Sequence, residues 1–462
     1  MNNRRKFLGS AVAAGTYGIA SSALGARTDR LQVQVELPRA RVPLSFIIDD
    51  STCLVNMGRF CMPQFAATYP EREIYQRPWQ QWPAEIPDRF VRDFIQWCGE
   101  HGVKGKYSVV PNPACVGWLD RTLPGWSQRA LDESLKLVRE EIVPNWDIHP
   151  EMITHTRVID LKTGRPFADY SPASMENSYP GQDVSVDYLA SYLAYALQIL
   201  HNCDLPCEGI TTPGGFGNRV KEKLPQAVFQ AVRDVYGTEL PHYFKYIAGG
   251  ENSTEPKLES GDGRELSPKH TVANVLAGTG DWFGGWDGAE TSRGEKYATP
   301  DASGGRMVEL IERRQPAVML CHWPGMYCNG TLAGYHDFQR VVQAIEGRFH
   351  ETTLWMKLSE IGRYWAAKAW TELGVGARGI EIDAPWACPR FTLKTDQPLT
   401  TAALIREEGT RVEMKRVRSL AALDTDTLWN SQSSSYLCFD LTAGKHRLEI
   451  NVEGPREARP RT

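Results

Sequence analysis

Acidic and imidazole side chains stand at the ends of four short apolar segments of this 462-residue sequence. Asp49 and Asp50 end the first of these segments, His149 ends a later one, and Asp281 and His322 follow two more. If the segments are parallel strands of a β/α fold, their carboxyl ends meet on one face and bring these side chains together. Adjacent carboxylates after a buried strand are costly unless they are paired or bind a metal. The pattern therefore predicts a polar site, and metal binding is one explanation for it.

One interpretation of these residues is a catalytic metal site. One Asp together with His149 and His155, which lie six residues apart, supplies three ligands and leaves positions for water and substrate. The second Asp would then act as a base on that water. The alternative is structural: the two Asp form a turn or a helix cap, the His are hydrogen-bonded surface residues, and the loop tryptophans only pack a lid. The residue types alone leave both interpretations open.

Strand and helix patterns alternate from about residue 43 to 366. Apolar residues at helical spacing, such as Leu189, Leu193, Leu197 and Leu200, predict a helix over 185–202. Short apolar runs predict strands at 42–48, 106–110, 146–149, 208–212, 272–276, 317–321 and 354–356. Strands that alternate with helices indicate a parallel sheet, so we predict an α/β protein with a β/α barrel of about seven strands over residues 27–370. From 371 to 462, short β-type runs predict a small antiparallel β module.

Composition and charge exclude several classes of protein. The sequence has 52 basic and 56 acidic side chains, and 42% of its residues are hydrophobic, which excludes a disordered or a fibrous chain. Its net charge of −4 lacks the basic footprint of a nucleic-acid-binding protein. Ten cysteines without a Cys-x-x-Cys pair argue against a structural zinc ribbon.

The first 26 residues have the pattern of an export signal. Arg4-Arg5 and Phe7-Leu8 precede a weakly apolar run from Ala11 to Leu24, and small residues follow up to Ala26. The paired arginines resemble a twin-arginine signal, which predicts a periplasmic or extracellular location; a flexible basic tail is the alternative. No other stretch approaches the roughly 18 apolar residues of a membrane helix, so no stable membrane span is predicted.

The order of the polar residues resembles the NodB-like polysaccharide deacetylases, which are carbohydrate esterases with a β/α barrel. Five short motifs of that family occur in the family's order within residues 43–366: Phe46-Ile47-Ile48-Asp49-Asp50, His149 with His155, Thr211-Thr212-Pro213-Gly214-Gly215, Asp281-Trp282, and Val318-Met319-Leu320-Cys321-His322. The sequence departs from the family at two of them. The two His are six residues apart where four is usual, and Thr211 stands where the family has an Arg that orients the base.

The resemblance implies a divalent metal ion, zinc or a similar metal, as the cofactor. It implies that Asp50, His149 and His155 bind this ion and that Asp49 takes a proton from the attacking water. The implied reaction removes an acetyl or other acyl group from a carbohydrate by hydrolysis of an ester or of a non-peptide carbon–nitrogen bond.

The resemblance also assigns the proton donor. It implies that His322 protonates the leaving group and that Asp281 tunes it, so we expect contact between these two side chains, direct or through one water. A general acid at neutral pH needs such a carboxylate, because burial alone would lower the pKa of the imidazole. The residues that we expect to contact the substrate are Thr212, Pro213, Gly214, Trp282 and Trp323.

Two other functions remain compatible with the sequence. A glycosidase on the same barrel would use two carboxylates on opposite strands, for which Asp50 and Asp281 are candidates, but the His residues would then lack a role. A barrel that binds glycan without turnover would explain the missing Arg and the altered His spacing, with the β module as a second binding surface. The metal content of the purified protein separates the binder from the enzyme. The sequence leaves open the sugar, the acyl group, the metal and the oligomeric state.

Overall fold

The computed structural model describes residues 31–376 and 378–452 as a mixed α/β protein. The α-helices of this part are α1 (Met57–Thr68), α2 (Asp88–Glu100), α3 (Gln128–Leu137), α4 (Val186–Asn202), α5 (Leu224–Tyr236), α6 (Arg306–Glu312), α7 (Trp323–Tyr327), α8 (Ala333–Phe349) and α9 (Leu358–Trp370). Among the helices described here, none combines the length and the apolar character that a bilayer crossing requires. The predicted export signal at residues 1–26 lies outside the described residues and stays a prediction.

The β-strands alternate with these helices up to α9 and follow one another directly after it. In chain order they are β1 (Val33–Val35), β2 (Val42–Asp49), β3 (Gly105–Ser108), β4 (Trp146–His149), β5 (Ile159–Asp160), β6 (Arg165–Pro166), β7 (Gly209–Thr211), β8 (His242–Phe244), β9 (Lys257–Ser260), β10 (Thr271–Asn274), β11 (Ala317–His322), β12 (Thr353–Trp355), β13 (Glu372–Gly376), β14 (Gly379–Ala384), β15 (Cys388–Thr395), β16 (Leu399–Ile405), β17 (Arg411–Glu413), β18 (Lys415–Arg416), β19 (Thr427–Asn430), β20 (Ser435–Leu441) and β21 (Gly444–Val452).

Two sheets of mainly parallel strands carry the predicted β/α region. The first has the order β11-β2-β3-β4, all parallel, and β12 pairs with the first residues of β2. The second has the order β7-β8-β10-β9, in which only β9 is antiparallel to its neighbour. The predicted strands are confirmed in position to within a few residues. β8 was not predicted, because its three residues between Pro241 and Lys245 form too short an apolar run.

The edges of these two sheets meet at two seams. At one seam, a single parallel bridge joins Glu151 to Thr211, where β4 is short and Pro150 follows it without an N–H to donate. At the other, the amide of Gly278 donates to the carbonyl of Val318 over 2.6 Å. Hydrogen bonding therefore does not run continuously around the predicted β/α barrel. The described residues form two parallel sheets with touching edges.

The core explains why these segments form buried strands and amphipathic helices. All eight residues of β2 are buried, and Phe46, Ile47 and Ile48 have no exposed surface, as expected for a strand covered on both faces. The predicted helix at 185–202 is confirmed as α4, whose leucines at helical spacing are buried. Its amino end begins after Ser185, whose Oγ accepts the amide of Tyr188 over 3.2 Å.

Residues 372–452 form strands in two further five-stranded sheets. Their orders are β1-β15-β20-β19-β18 and β13-β14-β21-β16-β17, and all pairs are antiparallel except β18 with β19. The first sheet takes in β1, which lies far before the predicted boundary at 371. The Oη of Tyr364 on α9 donates to the carbonyl of Glu36 over 2.7 Å, so the first described residues link the two parts of the chain.

Candidate metal and catalytic site

A cavity of about 310 Å³ opens at the carboxyl ends of β2, β7, β8 and β11. The charged and imidazole side chains in its wall are those of Asp49, Asp50, Glu151, His155, Lys245 and His322. The aromatic rings in its wall are those of Phe65, Tyr75, Phe244 and Trp286. The expectation that strand ends bring carboxylates and imidazoles to one place is thus met, although the set of residues differs from the predicted one.

Asp50, Glu151 and His155 form a compact cluster of possible metal ligands. Nε2 of His155 lies 2.7 Å from Oδ1 of Asp50 and 3.4 Å from Oε1 of Glu151. One ligand atom from each residue lies within 4.8 Å of the other two, and no other such group occurs among the residues that the structure describes. Two carboxylate oxygens and one imidazole nitrogen suit Zn²⁺ or a similar divalent transition metal.

The hydrogen bonding of the cluster fits a bound cation. Oδ1 of Asp50 is buried and accepts no hydrogen bond of ordinary geometry, although the His155 ring is close by. The two carboxylates also lie side by side, since Oε2 of Glu151 accepts the amide of Asp50 over 2.8 Å. Buried carboxylates this close together need positive charge between them. A protonated His155 would supply it, and so would a divalent ion held by the three side chains.

The backbone is strained at the three places that shape this cluster. Asp50, Met152 and His155 have φ angles of 56°, 54° and 65°, in the left-handed region that residues with a Cβ seldom adopt. Such conformations cost free energy and persist only where the surroundings hold them. Through the left-handed residues Met152 and His155, the chain turns after β4 so that Glu151 and His155 lie in the cavity wall.

The Glu176 carboxylate holds the strained loop in place. It accepts the amides of Ile153 over 3.1 Å, Thr154 over 3.0 Å and His155 over 2.6 Å. The hydroxyl of Tyr192 on α4 donates to it over 2.6 Å. Burial raises the pKa of Glu176 to about 7, although these donors oppose the rise. One buried carboxylate therefore fixes three successive residues, the last of which is a candidate ligand.

Mutual attraction sets the charges of Glu151 and His155. Burial disfavours the charged form of each, but each charge favours the other. The pKa of Glu151 therefore lies below its ordinary value. The pKa of His155 lies well above its ordinary value, because Asp50 raises it most and Glu151 adds to the effect.

Asp49 is a buried carboxylate with a buried lysine as its partner. Its Oδ1 contacts Nζ of Lys106, which also donates to Oγ of Ser108 over 2.7 Å and to the carbonyl of Ile48 over 3.2 Å. Burial and the charge of Glu151 raise the pKa of Asp49 to about 6, and Lys106 limits the rise. This value suits a general base near neutral pH. Thr211 stands where the family has its Arg, and the cation that contacts Asp49 in this chain is Lys106.

The predicted contact between His322 and Asp281 is confirmed. Nδ1 of His322 lies 3.0 Å from Oδ2 of Asp281, whose Oδ1 accepts the amide of Phe283 over 2.7 Å. Burial opposes charge on His322, but the hydrogen bond to Asp281 and the charges of Asp50 and Asp49 outweigh it and raise the pKa to about 9. The ring is therefore protonated at neutral pH, with Nε2 left free to donate.

His149 does not join the cluster, which corrects the predicted ligand set. Its Nε2 lies 2.8 Å from Nε2 of His242, and its Nδ1 lies 3.2 Å from Oγ1 of Thr211. A Cβ on Gly209 would come within 2.6 Å of this ring, so the glycine makes room for it. His149 is the last residue of β4 and belongs to the interior, whereas Glu151, two residues on, reaches the cavity.

Sequence reasoning missed Glu151 and Lys106. Glu151 and His155 are four residues apart, the spacing that the family's second motif has between its two His, so a search that allowed a carboxylate would have found the pair. Lys106 stands in a predicted strand among apolar residues, and a lysine there is itself a signal of a buried ion pair.

The predicted substrate-contacting residues divide into two groups. Thr212, Pro213 and Gly214 line the cavity. Trp282 is absent from its wall and packs on Tyr297, with ring centroids 5.0 Å apart. The last residue, Trp323, has no exposed surface, so the prediction that it contacts substrate is wrong. Its ring lies in the core against those of Phe90, Phe94 and Tyr107.

Comparisons with known proteins give a likeness among solved structures. No family model matches the sequence, and no curated protein matches it. Among solved structures, a probable polysaccharide deacetylase from Pseudomonas aeruginosa PAO1 is similar with a TM-score of 0.40 and 11% identity, over 71% of this chain and 91% of that one. At this identity and TM-score the likeness establishes neither a family nor an activity.

Proposed function

We propose that this protein is a metal-dependent hydrolase that removes acetyl or other acyl groups from a carbohydrate. One observation carries the proposal: a single cavity is lined by a three-donor cluster, a buried carboxylate and an imidazole that a carboxylate holds. Asp50, Glu151 and His155 would hold the ion. Bound there, a divalent ion such as Zn²⁺ would polarise the acyl carbonyl and lower the pKa of a water molecule.

Asp49 supplies the base in this proposal. Its carboxylate lies next to the cluster in sequence and in the cavity wall, and with a pKa of about 6 it is ionised at neutral pH. It takes a proton from the water that attacks the acyl carbon. Lys106 keeps the carboxylate oriented, since it is fully buried and contacts Oδ1 of Asp49 directly.

His322 supplies the acid. Asp281 accepts a hydrogen bond from Nδ1 and so fixes the orientation of the ring, which leaves Nε2–H for the cavity. The protonated ring then gives its Nε2 proton to the oxygen or nitrogen of the sugar as the acyl carbon–heteroatom bond breaks. Because the base and the acid lie on separate strands, one can take the proton of the attacking water while the other gives a proton to the leaving atom.

A carbohydrate is the proposed substrate because of the rings at the cavity mouth. Tyr75 and Trp286 are partly exposed, with centroids 5.8 Å apart, and Phe65 packs on Trp286 at 5.5 Å. Aromatic faces of this kind present apolar surface to the C–H face of a sugar, while Thr212 and the cluster offer polar contacts.

The contacts of Asp281 do not favour a glycosidase. Both of its oxygens are engaged, one by the His322 ring and the other by the amide of Phe283. A retaining glycosidase would need a free carboxylate there as nucleophile or acid. Asp50, the other candidate, belongs to the Asp50–Glu151–His155 cluster.

The test is acetate release by the purified protein after chelation and reloading with Zn²⁺. We expect acetate from acetylated xylo- or chito-oligosaccharides only after reloading, no metal and no activity in Asp50→Ala, and metal without turnover in Asp49→Asn. Asp301→Asn, at an exposed turn, is the matched control and retains both. New reducing ends without acetate would indicate a glycosidase, and glycan binding without metal or turnover would indicate a binding protein.

A further inference from the structure

Lys245 places an unneutralised positive charge in the wall of the same cavity. It follows β8 directly, is 9% exposed, and lines the cavity. Its Nζ donates to the carbonyl of Phe216, and no acidic side chain of the described residues forms an ion pair with it. Nζ also lies over the Tyr246 ring, 5.3 Å from its centroid, in a cation–π contact that brings no full counter-charge.

The other charged groups of the cavity are already matched. Asp49 contacts Lys106, Glu151 lies against His155, and Asp281, just behind the wall, is bound to His322. At the Asp50–Glu151–His155 cluster, a divalent ion bound by a neutral His155 would balance the two carboxylates. Lys245 differs from all of these, because a carbonyl dipole and an aromatic face contact its charge, and no carboxylate does.

A buried charge without a counter-charge is costly, and the chain shows that cost. Burial, with the repulsion of Lys221, lowers the pKa of Lys245 to about 8. If Lys245 had only a structural role, a methionine would fill the same space without the cost of burying a charge, and only the contact to Phe216 would be lost. An anion brought in by a ligand would neutralise the charge and offset the cost of burying it.

We propose that Lys245 binds an anionic group of the substrate, so that the substrate is an acidic saccharide carrying a carboxylate or a sulfate near its acylated sugar. The inference rests on the proposed function, which it makes more specific. Lys245 would contact the anion, while the Tyr75 and Trp286 rings contact the sugar face and the acyl group reaches the Asp50–Glu151–His155 cluster.

Calorimetry of three probes with the Zn²⁺-loaded full-length protein tests the proposal. The probes are trigalacturonate, a sulfated galactan oligosaccharide and the neutral chitotriose. We expect an acidic probe to bind more tightly than chitotriose, and Lys245→Met to lower the ratio of the two affinities by about ten- to a hundredfold, as for loss of a charged hydrogen bond. Lys245→Arg keeps most of the preference. Lys257→Met, at an exposed position on β9, keeps all of it.

The outcomes separate this inference from the proposed function. A preference for either acidic probe that depends on Lys245 supports the inference and identifies the anion, even if no acetate is released, in which case the hydrolase proposal alone fails. Acetate release from neutral substrates with no acidic preference overturns the inference and leaves the hydrolase standing. Equal losses for acidic and neutral probes in a folded Lys245→Met protein would mean that the lysine only supports the Phe216 segment, which also overturns it.

Discussion

Two pairs of buried imidazoles lie within this α/β region and have opposite electrostatics. His155 and His322 line the cavity, each contacts a carboxylate, and the pKa of each is raised. His149 and His242 contact each other over 2.8 Å, and the pKa of each is lowered, that of His242 to about 4. All four rings are largely shielded from water, so burial alone does not distinguish them.

The neighbours of each ring make the difference. Burial lowers the pKa of all four imidazoles, but Asp50, Glu151 and Asp281 reverse that effect for the first pair. In the second pair, His242 lowers the pKa of His149 further, and the nearest carboxylate paired with His242, that of Asp147, is 3.8 Å away. A buried imidazole of this protein is therefore charged or neutral according to whether carboxylates contact it.

The largest effect on metal binding should come from replacing one imidazole of each pair in separate variants. We expect His155→Ala to lose Zn²⁺ binding altogether, because it removes one of three ligands, and His149→Gln to keep one Zn²⁺ per chain. Metal content after dialysis against buffered Zn²⁺ measures this, with circular dichroism to confirm folding. Loss of metal in a folded His149→Gln protein would return His149 to the ligand set and contradict the comparison.

His322→Ala should keep the metal and slow turnover by about 10²–10⁴-fold, the usual range for a general acid. The loss should be greatest for esters with basic leaving groups, because these depend most on a proton donor. Rates on a series of acetate esters of graded leaving-group pKa provide the measurement, with His336→Gln on the exposed face of α8 as the control. Equal losses across the series would show that His322 orients the site and does not donate a proton.

The second pair should affect stability in acid. Since the pKa of His242 is about 4 in the folded protein and 6.5 in the unfolded chain, unfolding takes up a proton between these values. The contribution of His242 to the free energy of unfolding is greatest above pH 6.5, and it falls by up to about 3 kcal/mol as the pH drops to 4.

Comparison of wild type with His242→Gln isolates that contribution. The contribution of Asp147 has the opposite pH dependence. Burial raises the pKa of this carboxyl to about 6, so its protonation stabilises the folded protein as the pH falls. Denaturant unfolding at pH 7, 5.5 and 4 should show a shallower decline in His242→Gln. Parallel curves for the two proteins would mean that the His149–His242 pair is charged in the folded state.

The smallest effect concerns the loop that carries His155. Glu176→Gln replaces one acceptor oxygen by an NH₂ group, which would face backbone N–H groups of the loop and cannot accept from them. The loop that carries His155 should then be held less firmly, so we expect Zn²⁺ to bind about 10–100-fold more weakly. Tyr192→Phe keeps the carboxylate and should have a smaller effect. Competition with a chelator of known affinity measures both. Unchanged affinity in a folded Glu176→Gln protein would show that the left-handed turn at His155 holds without this anchor.

The sequence by itself determined the elements and most of the strand ends. The apolar runs of β2 and β11 specify buried strands whatever surrounds them, because their residues must leave water. Asp49, Asp50 and His322 follow those runs, so the parallel arrangement brings them together. The contact of His322 with Asp281 was predicted from the resemblance, which implied an acid that a carboxylate tunes, and the structure shows this contact.

Only the tertiary structure decided which polar residues beyond the strand ends reach the cavity. Glu151 and His155 arrive there because the chain turns through left-handed residues after β4 and Glu176, from a distant part of the sequence, holds that turn. His149 stays inside because His242, 93 residues away, receives its ring. Lys106 meets Asp49 across neighbouring strands in the same way. Spacing along a chain describes regular elements, whereas the partners of a buried charge are set by contacts between segments that the spacing does not encode.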